Sequence, residues 1–152
     1  MKKLILFALV SSVIISCRKD DNDEKSESLI VGTWNLARTQ IISGKDNSIL
    51  ISTLVTDCPD KQNYVFSDNI YTLTYFRNDF IGSCVTSETI KGEFIFDESQ
   101  KKLTLTSSVT QTPFTFNIHS ITNNELKLVD SYFNYDANND GVIDIRVTIF
   151  NK

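Results

Sequence analysis

The fold is decided by residues 101–108, KKLTLTSS, and residues 113–120, PFTFNIHS. Leu103 and Leu105 alternate with threonines, and Phe114, Phe116 and Ile118 alternate with polar residues. A period of two places every second side chain on the same face of an extended strand, so each stretch has one apolar face and one wet face. Between them, VTQT (109–112) is a connection of hairpin length. The pair therefore reads as two adjacent antiparallel strands covering one core.

The same pattern extends in both directions. The first strand is expected from about Thr33 to Ile42 and the second from Ile49 to Thr56, with CPDKQN (58–63) as a turn or a single helical turn. YVF (64–66), SDN (67–69) and IYTLTYF (70–76) read as a hairpin, because Asn69 tolerates the left-handed conformation its turn needs. From Cys84 to Phe96 the chain is extended again, with Gly92 where a strand can curve. ELKLVDSYFNY (125–135) and VIDIRVTIF (142–150) complete the series, the latter with Ile143, Ile145, Val147 and Ile149 on one face. No segment after residue 29 carries a helical period. Residues 29–152 are 124 in number, enough for one domain with a real core. The expected fold is all-β, an up-and-down antiparallel β-barrel of 8–9 strands, since closure removes exposed edges; a sandwich is the competing arrangement.

A family resemblance rests on LIVGTWNLARTQ (29–40). Gly32-Thr33-Trp34 resembles the G-x-W that opens the first strand of lipocalins. The order Cys58, Tyr64, Phe66, Tyr71, Cys84 and then Gly92-Glu93-Phe94 resembles the lipocalin-like domain of small Bacteroidetes lipoproteins. The resemblance implies a barrel over about residues 29–152 and, as an expectation, a small hydrophobic ligand inside it. Lipocalins also set an arginine of the last strand against that tryptophan. Arg146 is the candidate, although it shares parity with Asp144 and Thr148, opposite the apolar face.

The N-terminus carries its own signal. Lys2 and Lys3 precede the apolar run Leu4–Ile15, which is shorter than the roughly 20 residues a membrane helix needs and matches a secretory signal peptide. Ile14-Ile15-Ser16-Cys17 resembles a bacterial lipobox, so residues 1–16 are expected to be removed and Cys17 lipidated. Residues 18–28, RKDDNDEKSES, have no apolar side chain to bury and are expected to form a flexible tether. Lys19-Asp20-Asp21 resembles the surface-export signal of Bacteroidetes lipoproteins. The expected location is the outer membrane, lipid-anchored and facing the cell exterior. Loss of Lys2 and Lys3 takes the formal charge from −4 to −6, which argues against a nucleic-acid partner.

With Cys17 lipidated, Cys58 and Cys84 remain as a pair in an oxidising compartment, and a disulfide is expected. A zinc site is not, because His119 is the only histidine and falls on the polar face of its strand. Asp136, Asn138, Asp140 and Asp144 occupy positions one, three, five and nine of a calcium-type loop, with Gly141 at six, but Val147 stands where a bidentate Glu would be. Two readings stay open for this stretch, a weak calcium site and a hairpin tip with a primed turn. No nucleophile and base are arranged for catalysis, so no enzyme is expected. Trp34, Tyr71, Tyr75, Phe94, Phe96, Phe114 and Phe116 are the aromatic residues expected to face the interior, where they either line a ligand cavity or fill the barrel. The two functional expectations are capture of a small hydrophobic molecule and a non-catalytic module contacting protein or glycan through its loops.

Overall fold

The computed structural model describes residues 28–152; the expected signal peptide, the lipidation site Cys17 and the tether up to residue 27 lie outside the described residues. Nine strands follow: β1 Gly32–Ile42, β2 Ile49–Leu54, β3 Gln62–Ser67, β4 Ile70–Asn78, β5 Cys84–Asp97, β6 Lys102–Ser107, β7 Pro113–Ile121, β8 Glu125–Val129 and β9 Ile145–Asn151. A short 3₁₀ turn, Cys58–Asp60, stands between β2 and β3.

The strands form one antiparallel sheet that closes on itself. From β3 to β9 each strand pairs with the next, and β9 pairs back onto β1. The two halves of β1 differ on its other edge. Gly32 to Asn35 pair with β3, and Arg38 to Ile42 pair with β2, while β9 runs along the opposite edge. Antiparallel neighbours reverse direction at every step, so such a ring closes only with an even number of members. Eight strands make the ring and β2 lies beside it. The expected barrel is therefore what forms.

The two ends are unequal. At one end the connections are short turns, at residues 68–69, 98–101 and 122–124. Asp68 (φ 48°) and Asn69 (φ 65°) are both left-handed, as a two-residue type I′ hairpin requires. At the other end the connections are longer, at residues 43–48, 79–83, 108–112 and above all 130–144. The short-turn end is plugged by the chain's approach to β1. Ile30 and Trp34 are fully buried, and the Trp34 indole N–H donates to the Ile30 carbonyl at 2.7 Å. Lys152 places its Nζ 4.8 Å from the Trp34 ring centroid and donates to the Leu29 carbonyl at 3.2 Å.

Three expectations need correction here. The cation against Trp34 is Lys152, not Arg146; Arg146 stands at the other end of β9, where it pairs with Asp130 and sits 5.2 Å from the Phe133 ring centroid. The strand expected over residues 125–135 stops at Val129, because Asp130 turns the chain: the Tyr132 amide donates to its carboxylate and the Phe133 amide to its carbonyl. The strand expected from Val142 begins only at Ile145.

The last strand also turns the other way. Phe150 pairs with Leu36 and Leu126 and packs in the main core, with Trp34, Tyr64, Phe66, Leu103 and Leu128. By alternation, Val147 and Ile149 point to the opposite face of the sheet. There they form a second small cluster with Ile42, joined by Val129 and Ile145, while Ile143 is half exposed in the loop.

Candidate functional site

Most of the interior is filled by the chain's own rings. Tyr64 stacks on Phe66 at 5.5 Å between centroids, Phe66 meets Phe94 edge-on at 4.9 Å, and Tyr64 meets Phe150 edge-on at 5.5 Å. Such offset and edge-on pairs are the arrangements aromatic quadrupoles favour. Leu73, Leu103, Leu105, Ile118 and Leu126 occupy the gaps. They leave a cavity of about 280 Å³ towards the long-loop end and a hollow of about 300 Å³ at the short-turn end. The walls of the first are Tyr64, Tyr75, Phe114, Phe116, Leu128 and Phe150, with Gln62, Asp130, Ser131, Tyr132 and Thr148 supplying polar groups.

Strand geometry explains the lining. Phe114 and Phe116 lie opposite Leu105 and Leu103 on β6, both buried, so they share the inward face of β7. They sit one above the other, 4.7 Å apart and edge-on, with Phe114 reaching the mouth at 41% exposure. There Tyr132 stacks over Phe114 at 6.4 Å. The Asp130–Arg146 pair stands beside them at the rim.

Of the seven aromatic residues expected inside, the structure brings Tyr75, Phe114 and Phe116 to this cavity. Trp34, Tyr71 and Phe94 are buried as core, away from it. Phe96 faces hollows at the short-turn end instead. The larger of those, about 810 Å³, is lined by both Phe94 and Ile95. Consecutive strand residues face opposite sides of a sheet, so this space wraps a strand and is a surface groove, not barrel interior. Sequence reading missed Tyr64, although its alternation with Phe66 signalled it, and missed Phe150, hidden by the apolar residues on the opposite face of β9.

Burial holds the Tyr64 and Tyr75 phenols of the cavity neutral. Burial raises the Tyr64 pKa far above the ordinary value of 10.0, with the nearby Tyr75 and Tyr71 adding to it. Tyr75 is raised by burial, then by Glu88 and Tyr71, and Tyr71 is raised by burial against an opposing hydrogen bond with Ser107. For Asp130, burial opposes ionisation, but hydrogen bonds from Arg146 and the amide of Tyr132, together with the Arg146 charge, outweigh it and hold the carboxyl below its ordinary range. The mouth therefore offers neutral hydroxyl donors inside and a charge pair at the rim.

A tyrosine with a raised folded pKa contributes its stabilisation fully below the unfolded pKa, and that contribution is lost as pH rises towards the folded value. The melting temperature is accordingly expected to fall above about pH 10, where unfolded tyrosines ionise. Tyr64→Phe should flatten that fall. Circular-dichroism melts of both proteins across this range check it, and identical alkaline slopes would contradict it.

The acidic loop is tied by its own carboxylates. Asp136 accepts from the amides of Asp140 at 3.1 Å and Gly141 at 2.8 Å, and Asp140 accepts from Val142 at 2.9 Å and from the Asn138 side chain at 2.9 Å. Asp144 is buried and spans two loops, accepting from Ala137 at 2.7 Å and from Gly44 at 3.1 Å. Among the described residues, no three His, Cys, Asp or Glu side chains converge into a metal-binding group. His119 is exposed on β7. Cys58 and Cys84 form the expected disulfide, with Cα atoms 5.6 Å apart, fastening the 3₁₀ turn to the start of β5. Closing a loop of sequence separation 26 contributes about 3 kcal/mol by loss of unfolded-state entropy.

The family model of the lipocalin-like domain matches residues 30–128, about two thirds of the chain. The chain belongs to the lipocalin-like domain family. The match ends just before the 130–144 loop and β9, so the strand that closes this lipocalin-like barrel lies beyond it. A crystal structure of a lipocalin-like protein from Bacteroides uniformis is 16% identical and covers 82% of this chain and 98% of that one, with a TM-score of 0.48. Lobster apocrustacyanin A1 is 13% identical and covers 86% of this chain and 64% of that one, with a TM-score of 0.41. Comparison with curated proteins gives no match.

Proposed function

We propose that this lipocalin-like domain holds one small, largely apolar molecule in the cavity at its long-loop end. The observation that carries the reading is the way the interior is divided. Rings and leucines fill the middle of the barrel, and towards the long-loop end they leave about 280 Å³ walled by Tyr64, Tyr75, Phe114 and Phe116. That volume is just under the roughly 300–1,000 Å³ of ligand pockets, so a compact ring system suits it better than a long acyl chain. Neutral phenols and Thr148 offer hydrogen bonds to one or two polar atoms, and exclusion of water makes up the remainder.

Native mass spectrometry tests the reading. The domain of residues 28–152 contains the whole closed sheet and its core, so it is expected to fold without the preceding segment. After incubation with an organic extract of small apolar compounds, it should show a reproducible added mass. Phe116→Trp, which fills the cavity from its wall, should lower that occupancy about tenfold, equivalent to about 1.4 kcal/mol. A bare mass under all conditions would overturn the proposal.

The proposed setting is the outer membrane, with residues 1–16 removed, Cys17 lipidated and the barrel tethered on the outer face. This rests on the apolar run Leu4–Ile15, the lipobox-like Ile14–Cys17 and Lys19-Asp20-Asp21. Among the described residues no helix is long and apolar enough to cross a membrane. Mass analysis of the mature N-terminal peptide and protease treatment of intact cells test the two halves of this setting.

A further inference from the structure

The β4–β5 hairpin extends past its neighbours. The β3 ladder ends at Gln62↔Tyr75 and the β6 ladder at Gly92↔Ser107, but β4 and β5 continue to pair as far as Asn78↔Cys84. About 10 Å of two-stranded ribbon, at roughly 3.3 Å per residue, therefore stands beyond β3 before the turn begins.

The turn is built, not slack. The Asp79 carboxylate accepts from the amides of Ile81 at 3.0 Å and Ser83 at 2.8 Å, and Gly82 supplies the left-handed residue at φ 83°. Cys84 is the last residue to pair before the turn, and its disulfide to Cys58 ties the 3₁₀ turn against that end of the ribbon. This framework holds two large apolar side chains in open solvent: Phe80 is 107% exposed and Ile81 86%.

We propose that the Phe80–Ile81 tip is a wedge that inserts into the interface of an electrically neutral lipid bilayer. Size and charge choose this occupant. The two side chains together offer roughly 300–400 Å², well below the about 800 Å² that each partner buries in a stable protein interface. A bilayer needs no shape-complementary pocket and receives apolar groups to a depth of about 5–10 Å, which suits two large side chains on a projecting turn. Around the tip, Arg77 and Lys61 are set against Asp57, Asp60 and Asp79, a balance that is acidic, so nothing there attracts anionic headgroups.

The test is co-sedimentation of residues 28–152 with phosphatidylcholine vesicles, which reads the tip without a lipid anchor. The unmodified domain should bind, and the double variant Phe80→Ser with Ile81→Ser should lose at least about tenfold in partitioning, as removal of this much apolar area implies. Its melting temperature should be unchanged, because neither side chain contributes to the core. In Phe80→Trp, an additional tryptophan emission should shift to the blue on adding vesicles. Absence of binding, binding that survives the double substitution, or binding only to anionic vesicles would overturn the proposal. So would a concentration-dependent dimer in place of vesicle binding, since the tip would then be a contact between copies.

Discussion

Trp34→Ala is expected to destabilise the domain by about 4–8 kcal/mol. Truncating a buried tryptophan costs about 3–5 kcal/mol through lost transfer and cavity formation. The Ile30 carbonyl, which accepts the indole N–H at 2.7 Å, is then left without that partner, adding about 1–3 kcal/mol. Domains of this size are stable by only about 5–15 kcal/mol, so much of the population should be unfolded at physiological temperature. Lys152→Ala provides the contrast. It removes the cation over the same ring but leaves the plug in place, and should cost about 0.5–1 kcal/mol, as exposed cation–π contacts do. Urea unfolding followed by circular dichroism is the suitable measurement, because Trp34 is the only tryptophan and its fluorescence is lost with it. A Trp34→Ala loss no larger than that of Lys152→Ala would show that the plug does not organise the barrel.

Gly92→Ala should cost about 3 kcal/mol, although it adds a single methyl group to a strand. A Cβ at Gly92 would lie 2.1 Å from the Thr106 carbonyl oxygen, 2.7 Å from Tyr71 Cε1 and 2.9 Å from Ser107 Cα. Two of these obstacles are backbone of β6, and Gly92 pairs with Tyr71 on one side and Ser107 on the other. Relief would require separating strands within a closed ring, where movement at one seam is transmitted to the others. The expected result is a lower urea midpoint with weaker protection of the β5–β6 amides from hydrogen exchange. A midpoint equal to that of the unsubstituted domain would mean that β5 has more freedom than its contacts indicate.

The legible and illegible parts of this chain differ in kind. The strands β3, β4, β6 and β7 were readable from alternation because each has one apolar face set against polar residues. The turn at Asn69 was readable because few residues tolerate positive φ, and the disulfide because two cysteines remained to pair. The β9 strand defeated the same method. Ile145, Val147 and Ile149 alternate cleanly, yet the residue facing the main core is Phe150. The aliphatic face of β9 is buried in its own small cluster, separate from the main core, while the face that carries Arg146 and Thr148 turns Phe150 into that core. Alternation reports a buried face without saying which cluster buries it. The candidate site was half legible for a related reason. Tyr75, Phe114 and Phe116 were named from their parity, but parity does not distinguish a ring that fills the barrel from one that leaves space beside it.

The sequence by itself determined the class of fold and its local grammar: period-two strands, the Gly32–Trp34 opening and a preference for closure over exposed edges. These are properties of short windows, in which neighbouring residues dictate backbone geometry. Tertiary structure alone decided that Lys152 rather than Arg146 meets Trp34, that Asp144 fastens residue 44 across a hundred positions, and that the candidate cavity lies at the long-loop end. Each depends on the register in which the ring closes. Register is set by the sum of all strand pairings and by the volume of the rings packed inside, so no single window of the sequence contains it.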